Sequence, residues 1–248
     1  MNDPMIRRFP DATSLAQAAA ADWLNHLEEI QARNTEARPI PVALSGGRIT
    51  RDFFTEIVAQ FQEKSKNPRY GALFDNVHFF WADERCVPPK DSESNYGLAW
   101  ELLLGPLGIP AAQIHRLRGE APEEVALRQA LADIIRMPTA ANSGGYPVLD
   151  VAFLGMGENG HTASLFPGEP EATMDDPAIY RFVTADKPPP RRMTMGYGVL
   201  AAARELRVLI SGKGKEAAMK DLLSPDGKLP LARLVKMSAA TTIYTDIA

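Results

Sequence analysis

Two kinds of apolar pattern alternate along the chain. From Ser14 to Gln31, Leu15, Ala19, Trp23, Leu27 and Ile30 recur at helical spacing, with Asp11 or Thr13 available as N-cap. Ile40 to Leu44 is then a short apolar run that ends in Ser45-Gly46-Gly47, and a second helical stripe follows through Phe53, Ile57, Val58 and Phe61. Val77 to Trp81 predicts another strand, running into a polar loop from Asp83 to Asn95 and a helical stripe from Tyr96 to Leu104. Val148 to Leu154 repeats the strand pattern and breaks at Gly155, and Glu205 to Ile210 repeats it again, breaking at Ser211-Gly212 before a helix from Lys215 to Leu223. Strands alternating with helices predict an α/β fold, Rossmann-like in its layering, with a mostly parallel sheet and helices on both faces. In such folds ligands sit in the loops beyond the carboxyl ends of the strands, so the four loops share one edge of the sheet.

Residues 1–248 read as a single domain: no repeat or low-complexity tract is present, the stretch 140–147 is the best linker candidate, and Lys187-Pro188-Pro189-Pro190 reads as a stiff turn. At 45% hydrophobic and 23% charged residues the chain can bury a sizeable core. A net charge of -4 offers no basic footprint, which argues against nucleic acid and anionic membranes as partners, so an anionic ligand must be caught locally. No apolar run approaches the roughly 20 residues of a membrane span, no signal peptide is visible, and the lone Cys86 suits a reducing compartment, so the expected location is the cytoplasm.

Ser45-Gly46-Gly47-Arg48 lies between a strand and a helix, where converging backbone N–H groups and the helix dipole can hold a phosphate. The residues alone leave an ordinary tight turn equally open. Gly155-Met156-Gly157-Glu158-Asn159-Gly160 spells a dinucleotide fingerprint, but Pro167-Gly168 stops any helix that would follow, so the glycines read instead as a bend that turns His161 toward the crevice. Of the four histidines, His26, His78 and His115 read as structural or surface residues. No two histidines have metal-pair spacing, and no metal is expected. His161 is divided between a catalytic and a structural role. Asp83 and Arg85 are either crevice-lining groups or an ion pair, and Arg191, Arg192, Lys213 and Lys215 add cations in two later loops.

Four blocks together resemble the 6-phosphogluconolactonase family: VALSGGRIT from Val42, FFWADERCVPPKDSESNYGLA from Phe79, LDVAFLGMGENGHTASLFPG from Leu149, and RMTMGYGVLAAARELRVLISGKGKEAAM from Arg192. The superfamily also holds glucosamine-6-phosphate deaminase and ribose-5-phosphate isomerase. The resemblance implies a cofactor-free hydrolase of a phosphorylated sugar lactone. It implies His161 as general base, the turn Ser45, Gly46, Gly47 and Arg48 with Arg192 and Lys215 around the phosphate, and Asp83 and Arg85 lining the sugar site. It also implies that Phe166 stands where the deaminase branch carries a glutamate. The family's usual SGGSTP has hydroxyls where this chain has Arg48 and Ile49, and its usual GEDGH has an aspartate where this chain has Asn159, which is expected to orient His161. The alternatives are an amino-sugar phosphate isomerase or deaminase, and a sugar-phosphate-binding protein without turnover.

Overall fold

A computed structural model of the chain describes residues 3–137, 145–170 and 175–247. Its elements in order are β1 (Met5–Arg8), α1 (Ala12–Arg33), β2 (Ile40–Leu44), α2 (Arg48–Lys64), β3 (Val77–Trp81), β4 (Asp83–Arg85), α3 (Asn95–Ala99), α4 (Glu123–Ile135), β5 (Val151–Gly155), β6 (Tyr180–Thr184), β7 (Arg191–Met195), α5 (Tyr197–Ala201), β8 (Glu205–Ile210), α6 (Glu216–Leu222), α7 (Pro230–Met237) and β9 (Thr241–Thr245). Six strands form a sheet in the order β1-β9-β8-β5-β2-β3, and every neighbouring pair in it is parallel.

The strands β2, β3 and β8 match their predicted bounds, because a strand covered on both faces is a continuous apolar run. Asp11 caps α1, its carboxylate accepting the Ser14 N–H at 2.7 Å. Helices α1 and α2 cover one face: the α1 residue Trp23 meets Phe153 of β5 edge-on at 5.3 Å, and Phe53 of α2 lies 4.9 Å from the same ring. The residues flanking Phe153 on β5 are buried as well, so the opposite face is also covered. Full burial of aromatic residues this large contributes about 1.5–3 kcal/mol each.

Three expectations need correction. The segment from Asp83 is not wholly a loop: Asp83–Arg85 is β4, which pairs antiparallel with β7, and β7 pairs antiparallel with β6, making a second, three-stranded sheet. Arg191 and Arg192 therefore open a strand rather than sit in a loop. The stripe from Tyr96 to Leu104 begins as α3 but continues as a π-helical turn over Trp100–Leu104, where the Gly105 N–H reaches back five residues to the Trp100 carbonyl at 3.0 Å. The Pro-rich turn connects β6 to β7, as its composition suggested. Residues 140–144 of the candidate linker lie outside the described residues. Among the described residues no helix is long and apolar enough to cross a membrane.

The chain runs from β2 outward to β3 and later returns to β5 on the other side of β2. This reversal opens a crevice beyond the carboxyl ends of β2 and β5. The short β4 continues from β3 through Ala82, whose N–H donates to Leu44 of β2 at 2.8 Å and whose carbonyl accepts from Met195 at 2.7 Å. The second sheet is thereby hung over the same end of the first.

Candidate active site

Beyond β2 the chain turns through Ser45-Gly46-Gly47 directly into α2. Gly47 is the N-cap residue and supplies no side-chain cap, so the first N–H groups of this 17-residue helix are left for another acceptor. Gly46 has a steric reason to be glycine, since a Cβ there would fall 1.9 Å from Oδ1 of Asn95. Ser45 Oγ is buried without a hydrogen-bond partner. Arg48 begins α2, and its charge acts on Lys215, which stands just before α6. Burial first and then Arg48 hold the Lys215 ammonium below its ordinary pKa, with Asp246 and Glu158 opposing. Two cations facing one uncapped helix end are relieved by an anion between them.

Beyond β5 the turn from Gly155 to Gly160 delivers His161. The imidazole lies so close over Gly157 that a Cβ there would sit 2.1 Å from the ring. Asn159 Oδ1 is 2.6 Å from His161 Nδ1 and 3.3 Å from its backbone N. An amide oxygen only accepts, so Nδ1 carries the proton and Nε2 keeps the lone pair. Burial lowers the His161 pKa, Asp83 opposes, and Arg192, Lys215 and Lys187 lower it further. Burial and the neighbouring cations together favour the neutral ring.

Asp83 joins the blocks of the site. Its carboxylate accepts from Ser164 Oγ at 2.7 Å, in the His161 loop, and from Asn95 Nδ2 at 3.2 Å. It makes no ion pair with Arg85, which instead bonds the Glu93 carboxylate at 3.1 Å. The neighbouring Glu84 is buried and accepts from the backbone N–H groups of Arg85, Asn95 and Tyr96 and from Ser94 Oγ, at 2.7–3.0 Å. Burial outweighs those bonds and pushes its pKa up to about 7. Through this loop Asn95 is set against both Gly46 and Asp83.

These loops enclose a cavity of about 480 Å³. Ser45, Gly46, Gly47, Arg48, Asp83, Arg85, Asn159, His161, Arg192 and Lys215 all line it. Arg191 and Lys213, also picked out in the sequence, do not: Arg191 pairs with Glu123 of α4. Lining residues that sequence reasoning passed over include Asn95, Asp186 and Lys187. Nothing short of the second sheet locates the last two, since the β6–β7 hairpin is what swings them over the crevice. His78 and His115 are stacked together on the flank of β3, with Nδ1 of the first 2.9 Å from Nε2 of the second, and neither lines the cavity. Among the described residues no three His, Cys, Asp or Glu side chains gather as a metal site.

The family model of glucosamine-6-phosphate isomerases/6-phosphogluconolactonase matches residues 10–244. A protein of Oryza sativa subsp. indica named probable 6-phosphogluconolactonase 3, chloroplastic, is 32% identical over 217 residues, which cover 83% of this chain and 63% of the rice protein. The chain thus spans less than two thirds of that relative's length. The 6-phosphogluconolactonase of Aggregatibacter actinomycetemcomitans is 31% identical over 211 residues, 84% of this chain and 85% of the relative. The solved structure of 6-phosphogluconolactonase from Trypanosoma brucei superposes with a TM-score of 0.81 at 25% identity, covering 99% of this chain and 97% of that one.

Proposed function

The chain belongs to the glucosamine-6-phosphate isomerase/6-phosphogluconolactonase family, and from that premise we propose that it hydrolyses 6-phospho-D-glucono-1,5-lactone to 6-phosphogluconate, a step of the pentose phosphate pathway, with His161 as general base. The observation that carries the reading is the pairing of Asn159 with His161 Nδ1, which leaves Nε2 as the proton acceptor in the cavity that also holds Arg48, Lys215 and the α2 N-terminus.

In this mechanism the phosphate is held by the free N–H groups of α2, Ser45 Oγ, Arg48 and Lys215, with Arg192 adding charge, and it fixes the ring for reaction at C1. Water attacks C1 as Nε2 takes its proton. The C1 to ring-oxygen bond then breaks, and the imidazolium returns that proton to the departing oxygen. Asn159 holds the tautomer throughout. Asp83, anchored by Ser164 and Asn95, lines the sugar side with Arg85. The reading requires neither metal nor cofactor. We take residues 1–248 as one domain around this site, acting in the cytoplasm, which suits the single thiol of Cys86.

The test is hydrolysis of the phosphorylated lactone by purified protein, with spontaneous opening subtracted. Acceleration that saturates with substrate is expected. Rates no higher than the spontaneous one, with the lactone still bound, would favour a sugar-phosphate-binding protein. Turnover of glucosamine 6-phosphate in its place would favour the deaminase reading.

A further inference from the structure

The segment that carries His161 doubles back on itself. Ala163 has φ of 48°, the left-handed region that residues other than glycine seldom adopt. The reversal is closed by the Leu165 N–H on the Thr162 carbonyl at 2.9 Å. It is tied down by Thr162 Oγ1 on the Gly155 carbonyl at 2.8 Å and by Ser164 Oγ on Asp83 at 2.7 Å. Its consequence is that Phe166, five residues on, returns to the imidazole: the two ring centroids are 5.2 Å apart, with planes inclined by 43°. Leu165 beside it is fully buried in the core, whereas Phe166 is only half-buried and faces a cavity otherwise rich in polar groups.

The same ring carries a second group. The Arg192 guanidinium lies over it, 5.7 Å from the centroid. Arg192 is anchored from behind by the carbonyls of the β6–β7 turn, Nε on Pro189 at 3.2 Å and Nη2 on Lys187 at 3.4 Å. One aromatic ring therefore contacts both the His161 imidazole and a cation of the cavity.

We propose that Phe166 is a positioning residue of the reaction: its ring keeps water from one side of the His161 imidazole and seats the Arg192 guanidinium beside it, fixing base and cation relative to each other. This rests on His161 being the base. A dry contact disfavours the imidazolium, and the ring that would otherwise attract that cation is already engaged by Arg192. The other charges acting on His161 are Asp83 of β4, Lys187 of the β6–β7 turn and Lys215 ahead of α6, while Asn159 on its own loop is neutral. Of these, only Asp83 favours the protonated ring.

The experiment compares Phe166→Gln and Phe166→Leu with the unaltered protein. The His161 ring is titrated by NMR without ligand, and the lactone KM is measured for each. Glutamine lets water reach the ring and so raises the His161 pKa, moving the acid limb of kcat/KM to higher pH. Leucine keeps the contact dry and leaves the titration where it was. Both variants remove the guanidinium's ring, which raises KM roughly three- to thirtyfold. Phe166→Gln protein that is folded by circular dichroism yet titrates like the original overturns the proposal. So does an unchanged KM in Phe166→Leu, which also decides the matter if the glutamine variant fails to fold. The NMR titration needs no turnover, so an inactive parent protein would remove the hydrolase reading while the contact itself is still tested.

Discussion

Asn159 Oδ1 and His161 Nδ1 are 2.6 Å apart, a short polar link within the loop that brings His161 to the cavity. The residue that orients the imidazole is therefore neutral, and the charge that favours the imidazolium comes from across the crevice, at Asp83. Replacing Asn159 with aspartate adds a negative charge against Nδ1 and stabilises the protonated ring. Asn159→Asp is expected to move the acid limb of the kcat/KM profile to higher pH and, above that limb, to raise kcat. Superimposable pH profiles for the two forms would mean that the hydrogen bond carries no weight in the reaction.

If His161 is the base, His161→Ala removes it and leaves the α2 N-terminus, Arg48 and Lys215 intact. Loss of general base catalysis costs about 10²–10⁴-fold. The expected outcome is a corresponding fall in kcat, with inhibition by inorganic phosphate retained. Turnover at the original rate would dismiss His161 from the chemistry.

The residues of the crevice were legible because the parallel strands are. Buried runs such as Ile40–Leu44 and Glu205–Ile210 end abruptly at glycine or polar residues, and in a parallel sheet those ends converge. The second sheet was not legible. Its strands are short, Arg191-Arg192 at the head of β7 looks like solvent-facing charge, and Asp83–Arg85 is three polar residues whose strand geometry comes only from pairing with β7. The edge strand β1 was missed for a similar reason: it is four residues long and largely exposed. Nor does the sequence announce that Phe166 meets His161, because that contact depends on the left-handed backbone at Ala163.

Arg48 occupies the first position of α2 and faces the cavity together with Lys215. If it holds the phosphate, its loss removes a charge-assisted bond, worth about 1.5–3 kcal/mol, or roughly ten- to hundredfold. Arg48→Ala is expected to raise KM for the phosphorylated lactone by that factor while changing kcat little. It should also narrow the preference over unphosphorylated gluconolactone. An unmoved KM would assign the anion to Arg192 and Lys215 without Arg48.

Glu84 gives a prediction about stability that is independent of turnover. Burial raises its pKa from the ordinary 4.5 to about 7, despite four hydrogen bonds to the carboxylate. Between those two values the folded protein holds a proton that the unfolded chain has released, so stability falls as pH rises through this window and levels off above it. The full change is on the order of 3 kcal/mol. Glu84→Gln removes the titrating group. Its amide nitrogen also turns a donor toward backbone N–H groups, which costs about 1–3 kcal/mol at every pH. The variant is therefore less stable than the original at pH 5, and the gap closes or reverses by pH 8. Urea unfolding of both proteins across that range measures it. Parallel curves would mean that Glu84 is ionised throughout, and that its hydrogen bonds to Ser94, Asn95 and Tyr96 outweigh its burial.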